Sequence, residues 1–197
     1  MLRASVALID EQGLAALSMR EVARRAGVSH QAPYHYFEDR EAILAAVAER
    51  GFDGLNEALK QARAQATSAT HAIELAATAY IQFACENSAY FRIMFRPELV
   101  KVSNHQELDC SADHAFQHVP ELVADCIKAG LPEDFGVEPI MTLLWSTVHG
   151  FACLLIDGPL AEKIPNVTQE RDKAIRDLAH TMRRLIEGAI ASARSEK

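Results

Sequence analysis

An all-α chain built in two parts follows from three features of the sequence. Apolar residues recur at spacings of three and four along nearly every long segment, the mark of helices buried on one face. No run alternates with the period of two that marks a half-buried strand. Glycine or proline punctuates the ends of the helical runs. The runs are short over residues 1–45 and long over residues 46–197, so a small N-terminal domain and a larger C-terminal helical domain are expected. With 197 residues, 49% of them hydrophobic, the chain can bury a real core.

Ser18 and Glu21 stand in capping-box order. The Ser18 hydroxyl should accept the amide three residues on, while the Glu21 carboxylate returns to the cap amide. The helix that starts there has Val22, Ala23 and Ala26 on its apolar side, and Gly27 supplies the left-handed residue that ends it. Val28 should pin the turn. Ser29 reads as a second N-cap, opening about two helical turns from His30 to Phe37. Tyr36 or Phe37 must close the core beneath, which leaves His30, Gln31, Ala32, Tyr34 and His35 facing outward. Pro33 falls in or just past the first turn, where its missing amide costs little. Two short helices joined by a glycine turn, the second presenting hydrogen-bonding side chains, have the form of a helix-turn-helix reader of DNA, a form that any short helical pair with a glycine turn can mimic.

Downstream the elements are longer. A helix from Asp39 to about Ala64 carries Ile43, Leu44, Val47, Phe52, Leu55 and Leu59 on one face. Thr70 to Asn87 repeats Ile73, Ala77, Tyr80, Ile81 and Ala84, and a short aromatic helix over Tyr90 to Phe95 ends before Pro97. Residues 98–109 read as a loop or weak helix. Cys110 to Ala129 carries Phe116, Val119, Leu122, Val123, Cys126 and Ile127, with Pro120 as a kink and Gly130 as the stop. Pro139 opens the most apolar helix, which runs through Ile156 to Asp157-Gly158-Pro159. A last amphipathic helix spans about Thr168 to Ala193 and uses Ile175, Leu178, Ala179, Met182, Leu185, Ile186 and Ile190.

Residues 2 to 44 resemble the DNA-binding domain of the TetR/AcrR family of transcriptional regulators. The matching residues are Val6 and Ile9 before Gly13, Leu17-Ser18-Met19-Arg20, Ala23 to Ser29, Tyr34-x-x-Phe37, and Asp39-Arg40-Glu41 ahead of Ile43-Leu44, with Arg in the place of the family's Lys. The family usually has a polar, often basic segment before its first helix. This chain begins almost inside that helix, so an unusual or shortened start is expected. Trp145-x-x-x-His149-Gly150 and the short aromatic helix Ala89 to Phe95 resemble the subgroup with a Trp-His-Gly type of C-terminal domain.

The resemblance implies a dimeric regulator, by default a repressor released by a small-molecule effector. Its subunits would pair through the last two long helices as a four-helix bundle. The reading elements of a dimer must lie about 34 to 36 Å apart to enter successive major grooves of an operator. Gln31, Tyr34 and His35 are the expected base-edge or backbone contacts, with His30 and Ala32 next. Arg20 and Arg40 would reach bases or phosphates at the helix starts, and Ser29 would hold a phosphate oxygen. Trp145 and His149 lie four apart, on one helix face, so indole and imidazole can stack. Together with Phe83, Phe91, Met94, Phe95 and Phe116 they are the candidate lining of an effector pocket. A core role, with His149 fixing helix packing and Gly150 permitting a close crossing, is the simpler reading of the same residues. Such a lining would suit a hydrophobic or aromatic effector.

Composition narrows the alternatives. A net charge of −7 is unusual for a DNA reader, and residues 1–50 hold six arginines against seven carboxylates, so the positive charge must be local. Cys85, Cys110, Cys126 and Cys153 lie far apart, which argues against a disulfide framework or a structural zinc site. His114 and His118 are four apart, but no metal site is expected. No cofactor is expected either. No enzyme constellation emerges around His149 with Glu138 or Asp157. No membrane span or signal segment stands out, so a cytoplasmic location is expected. The competing class is a helical protein-binding adaptor that has lost DNA affinity. Salt-dependent DNA binding separates the two.

Overall fold

The computed structural model describes residues 1–164 and 166–195. Its helices, in chain order, are α1 (Leu2–Gln12), α2 (Met19–Ala26), α3 (Arg40–Ala64), α4 (Ala69–Glu86), α5 (Ser88–Met94), α6 (Gln106–Lys128), α7 (Val137–Ile156), α8 (Pro159–Lys163) and α9 (Arg171–Ser195). Four short 3-10 turns join them, at Leu14–Ala16, Ala32–His35, Val102–Asn104 and Glu133–Phe135. No strand occurs among the described residues. The all-α expectation holds, with shifts at the edges. Helix α6 starts at Gln106, four residues before the expected Cys110, because Leu108 extends its buried stripe toward the N-terminus. Helix α7 starts two residues before Pro139, and the short α8 carried no periodic signal.

The chain forms two compact units, and they divide it differently from a single cut near residue 45. The first comprises Met1–Gly54 and Asn87–Asp113, since α5 folds back against α1. Its core is Leu8, Val22, Ile43, Leu44, Val47, Phe52, Ile93 and Leu108, all fully buried. Asp39 caps α3 by accepting the Ala42 amide at 2.9 Å, and the apolar face expected for this helix is buried throughout.

Within this unit Gly51 lets α5 lie close on α3. A Cβ at Gly51 would fall 2.6 Å from the Met94 sulfur and 3.1 Å from the Tyr90 Cβ. Gly51→Ala is therefore expected to destabilise the protein by about 1–3 kcal/mol in urea unfolding, as overpacked cores do. Adding Met94→Ala should recover part of that loss; a double variant weaker than both singles would refute the steric account.

The second unit holds Leu55–Glu86 and the chain from His114 onward. Helix α4 packs against both α7 and α9. It supplies Ile73, Ala77, Tyr80, Ile81 and Ala84, against Ile140, Leu144, Val148 and Ala152 of α7 and Ile175, Ala179, Met182, Ile186 and Ile190 of α9. The α4–α9 seam is closed at its edge by the Arg183 guanidinium, which donates to Glu187 at 2.7 Å and Glu74 at 3.1 Å, while the Thr70 hydroxyl donates to Glu187 at 3.1 Å. Arg63 near the end of α3 reaches Glu121 and, at 2.6 Å, Asp125 of α6.

Two helices of this unit leave apolar surface outside. Leu185, expected on the buried face of α9, is 69% exposed, and Leu143 of α7 is 62% exposed. Helix α7 is long and apolar enough to cross a membrane by length and composition, which departs from the reading of the bare sequence. Only 22% of that stretch is buried, and its inner stripe packs on α4 as a helix of a folded unit does.

Candidate nucleic-acid interface and polar cluster

The Ser18 hydroxyl accepts the Glu21 amide at 3.2 Å, which opens α2 as expected. The reciprocal half of the capping box is not made. The Glu21 carboxylate takes the Arg24 guanidinium instead, with Arg24 Nε at 2.9 Å, because a charged pair at this spacing outcompetes a bond to a neutral amide. The Arg24 guanidinium, through its hydrogen bond, holds the Glu21 carboxyl below the usual carboxylate range. Arg25 pairs with Glu11 of α1. Two of the six arginines of residues 1–50 are thus partnered within the chain, and Arg20 stands exposed at the start of α2.

Gly27 ends α2 in the left-handed conformation, φ +69°, with its amide on the Arg24 carbonyl. Beyond it the expected two-turn helix is a single 3-10 turn, Ala32–His35. Pro33 is the physical reason. It has no amide to donate to the Ser29 carbonyl, the bond a helix running from His30 would need at that position, so the regular turn starts only at Ala32. The turn closes instead through Ala32 to Ser29 at 3.0 Å and Tyr34 to Gln31 at 3.1 Å. The Ser29 cap expected from the sequence is accordingly replaced by this backbone bond.

Ser29, His30, Gln31, Tyr34 and His35 are exposed, and Ala32 is half-buried. Pro33 is the residue buried beneath them. Phe37 is half-buried, whereas Tyr36 is 75% exposed and Tyr34 56%. Tyr36 therefore joins the outward set, from which the sequence had left it open. Val28, expected to pin the turn, is 42% exposed. Arg40 is engaged elsewhere: its Nε donates to the Leu17 carbonyl at 2.9 Å and its Nη2 to the Leu14 carbonyl at 3.0 Å.

The candidate effector residues fall in two places. Phe91, Met94 and Phe95 belong to the first unit, where Phe95 makes edge-on contacts with Phe91 at 5.3 Å and Phe52 at 5.4 Å and Met94 lies against Gly51. Phe83, Phe116, Trp145 and His149 belong to the second. There Phe116 meets Trp145 edge-on at 4.8 Å, and the Trp145 and His149 rings lie 5.9 Å apart and tilted. Phe83 is half-buried on α4.

Tyr80 completes the second cluster. Its hydroxyl accepts the Trp145 indole N–H at 3.4 Å and lies 2.9 Å from His149 Nδ1. An indole only donates, so the phenol oxygen accepts that proton, and the same hydroxyl shares a second hydrogen bond with His149 Nδ1. Burial pushes the His149 pKa below the usual histidine range and the Tyr80 pKa up. No sequence motif had singled Tyr80 out as more than a core residue.

This chemistry has a pH signature. A histidine buried neutral binds fewer protons folded than unfolded, so its contribution is full above about pH 6.5 and is lost as pH falls toward the depressed folded value. His118, also lowered by burial, acts in the same direction. The urea midpoint should therefore fall between about pH 7.5 and pH 5, and by less in His149→Gln. Parallel curves for the two proteins would show that His149 carries none of it.

Residues 1–47 match the model of bacterial regulatory proteins of the tetR family, and residues 73–182 match that of the tetracyclin repressor-like C-terminal domain. The chain belongs to the TetR family. Its N-terminal helix-turn-helix is thus the DNA-binding domain of a transcriptional regulator. Solved structures agree on the fold. A Rhodococcus sp. RHA1 protein of unknown function is 27% identical, with a TM-score of 0.74 over 93% of this chain and 91% of that one. The TetR family transcriptional regulator PfmR from Thermus thermophilus is 19% identical, with a TM-score of 0.73 over 93% and 96%. FadR from Bacillus subtilis, solved in complex with stearoyl-CoA, is 16% identical, with a TM-score of 0.72 over 96% and 97%.

Proposed function

We propose that this TetR family chain is a cytoplasmic homodimeric repressor of transcription, and not an enzyme, that leaves its operator when an apolar small molecule binds its helical body. The observation that carries the dimer is the apolar surface of α7 and α9. Pro139, Leu143, Ser146 and Leu154 follow one another along the exposed face of α7, and Thr181, Leu185, Gly188 and Ser192 along that of α9. Exposed leucines at helical spacing favour a partner helix over water. Among the described residues a Cβ at Gly150 or Gly188 would meet nothing within 4 Å, so Gly150 makes no close helix crossing there and both positions leave room for a second copy.

In each subunit Gln31, Tyr34 and His35 read base edges, with His30, Ala32 and Tyr36 beside them. Arg20 and Ser29 take phosphate oxygens. Residues 1–45 do the reading and residues 46–197 the pairing and sensing. The cluster of Phe116, Trp145, Tyr80 and His149 offers an apolar wall with one polar corner, the mix that binds a hydrophobic ligand and orients it. FadR's complex with stearoyl-CoA makes long-chain acyl thioesters the first effectors to try. By linkage, an effector releases DNA only as far as it prefers the subunit spacing that misses the grooves.

Selection of duplexes from a random pool tests this reading. Enrichment of a palindrome with half-sites about one helical turn apart is expected, along with release of that duplex by an acyl-CoA or another apolar probe. An asymmetric single site would refute the dimer, and no enrichment would favour the adaptor. Gln31→Ala should change which bases are enriched more than it changes affinity for unselected DNA; equal losses on both would remove Gln31 from base reading.

A further inference from the structure

We infer that Arg40 is a positioning residue for DNA reading, a clamp between the start of α2 and the start of α3, and not a phosphate contact; the inference rests on the DNA-reading role proposed above. The guanidinium bridges two main-chain carbonyls of the α1–α2 connection, Leu14 at 3.0 Å and Leu17 at 2.9 Å. Leu17 directly precedes the Ser18 cap of α2, and its side chain is 2% exposed, so the connection is seated in the core at that point. Arg40 itself is the first residue of α3, held there by the Asp39 cap.

The clamp matters because of what lies between its ends. The chain that leaves α2 at Gly27 and enters α3 at Arg40 is the reading segment, and its only regular structure is the four-residue turn Ala32–His35. That turn has main-chain bonds of its own, Phe37 to the Pro33 carbonyl at 2.9 Å among them, but a single turn is too short to fix its own orientation. How His30, Gln31, Tyr34 and His35 are presented thus depends on the two helices that hold the segment's ends. One planar fork fastens those helices to each other. It also supplies donors to two carbonyls of the connection. A lysine ammonium is a point charge on a flexible stem and cannot reproduce a fork that reaches both carbonyls with fixed geometry.

Charge and geometry therefore separate in Arg40→Lys. Wild type, Arg40→Lys and Arg40→Ala would be measured across a salt series on a duplex enriched by the wild type and on a scrambled duplex of equal length. A clamp predicts that both variants lose about tenfold or more on the enriched duplex, with scrambled-duplex affinity and the salt slope unchanged. A phosphate contact predicts that Arg40→Lys behaves as wild type, while Arg40→Ala loses equally on both duplexes with a slope shallower by about one; that result overturns the inference. Equal loss on both duplexes by Arg40→Lys, whether or not helical circular dichroism falls, overturns it too. A wild-type chain that enriches no duplex overturns the DNA-reading premise, and is distinct from a wild type that reads DNA and is matched by Arg40→Lys.

Discussion

The double variant Leu143→Glu, Leu185→Glu is expected to sediment as a monomer and to lose about a hundredfold or more in operator affinity. Both side chains are more than half exposed in the single chain, so neither change opens a cavity, and the monomer's own stability should move by about 0.5 kcal/mol or less. In a two-fold pair each new carboxylate meets the same surface of its partner, where burying it unpaired is costly. The loss on DNA follows without any change at the reading turn. A dimer binds its second half-site as an intramolecular event, and a monomer forfeits that effective concentration. Binding to half-site duplexes should survive nearly intact. A variant that still sediments as a dimer would move pairing to another face, and a wild type that sediments as a monomer would remove the proposed α7–α9 interface.

What the sequence made legible was local. The Ser18 cap, the left-handed Gly27, the Asp39 start of α3 and its buried stripe each depend on residues within a few positions, and each forms as expected. Competition between neighbours was harder to read. Glu21 had two partners within reach and took the charged one. Pro33 looked tolerable inside a helix begun at His30, yet its missing amide delays the regular turn to Ala32. Remote partners left no trace. Tyr80 lies 65 residues from Trp145 and 69 from His149, and only the packing of α4 on α7 joins them. Leu185 fits the apolar period of α9 as well as Met182 does, since periodicity does not tell a core from a surface kept for a partner. The same limit applies to charge. The count of arginines in residues 1–50 does not show which are free, and Arg24, Arg25 and Arg40 are engaged by Glu21, by Glu11 and by main-chain carbonyls. This fits a chain with a net charge of −7, and in the proposed dimer it would place more of the specificity in subunit spacing than in phosphate attraction.

Phe91→Ala is expected to cost about 3–5 kcal/mol in urea unfolding, the range for deleting a buried aromatic ring. Phe91 is 4% exposed and stacks edge-on with Phe95, which in turn meets Phe52, so its removal strips one partner from a continuous aromatic row beneath α3 and α5. Phe116→Ala should cost far less, because Phe116 is 42% exposed and gives up chiefly its edge-on contact with Trp145. The contrast separates two roles that look alike in composition. A ring that binds effector need not support the fold, whereas a ring that supports the fold leaves its unit loosened when removed. With an acyl-CoA or other apolar probe in hand, Phe116→Ala and Trp145→Ala should reduce the probe's thermal stabilisation of the protein, and Phe91→Ala, assayed below its lowered Tm, should retain it. Equal stability costs for Phe91 and Phe116, or loss of probe stabilisation confined to Phe91→Ala, would transfer the effector site to the aromatic row of the first unit.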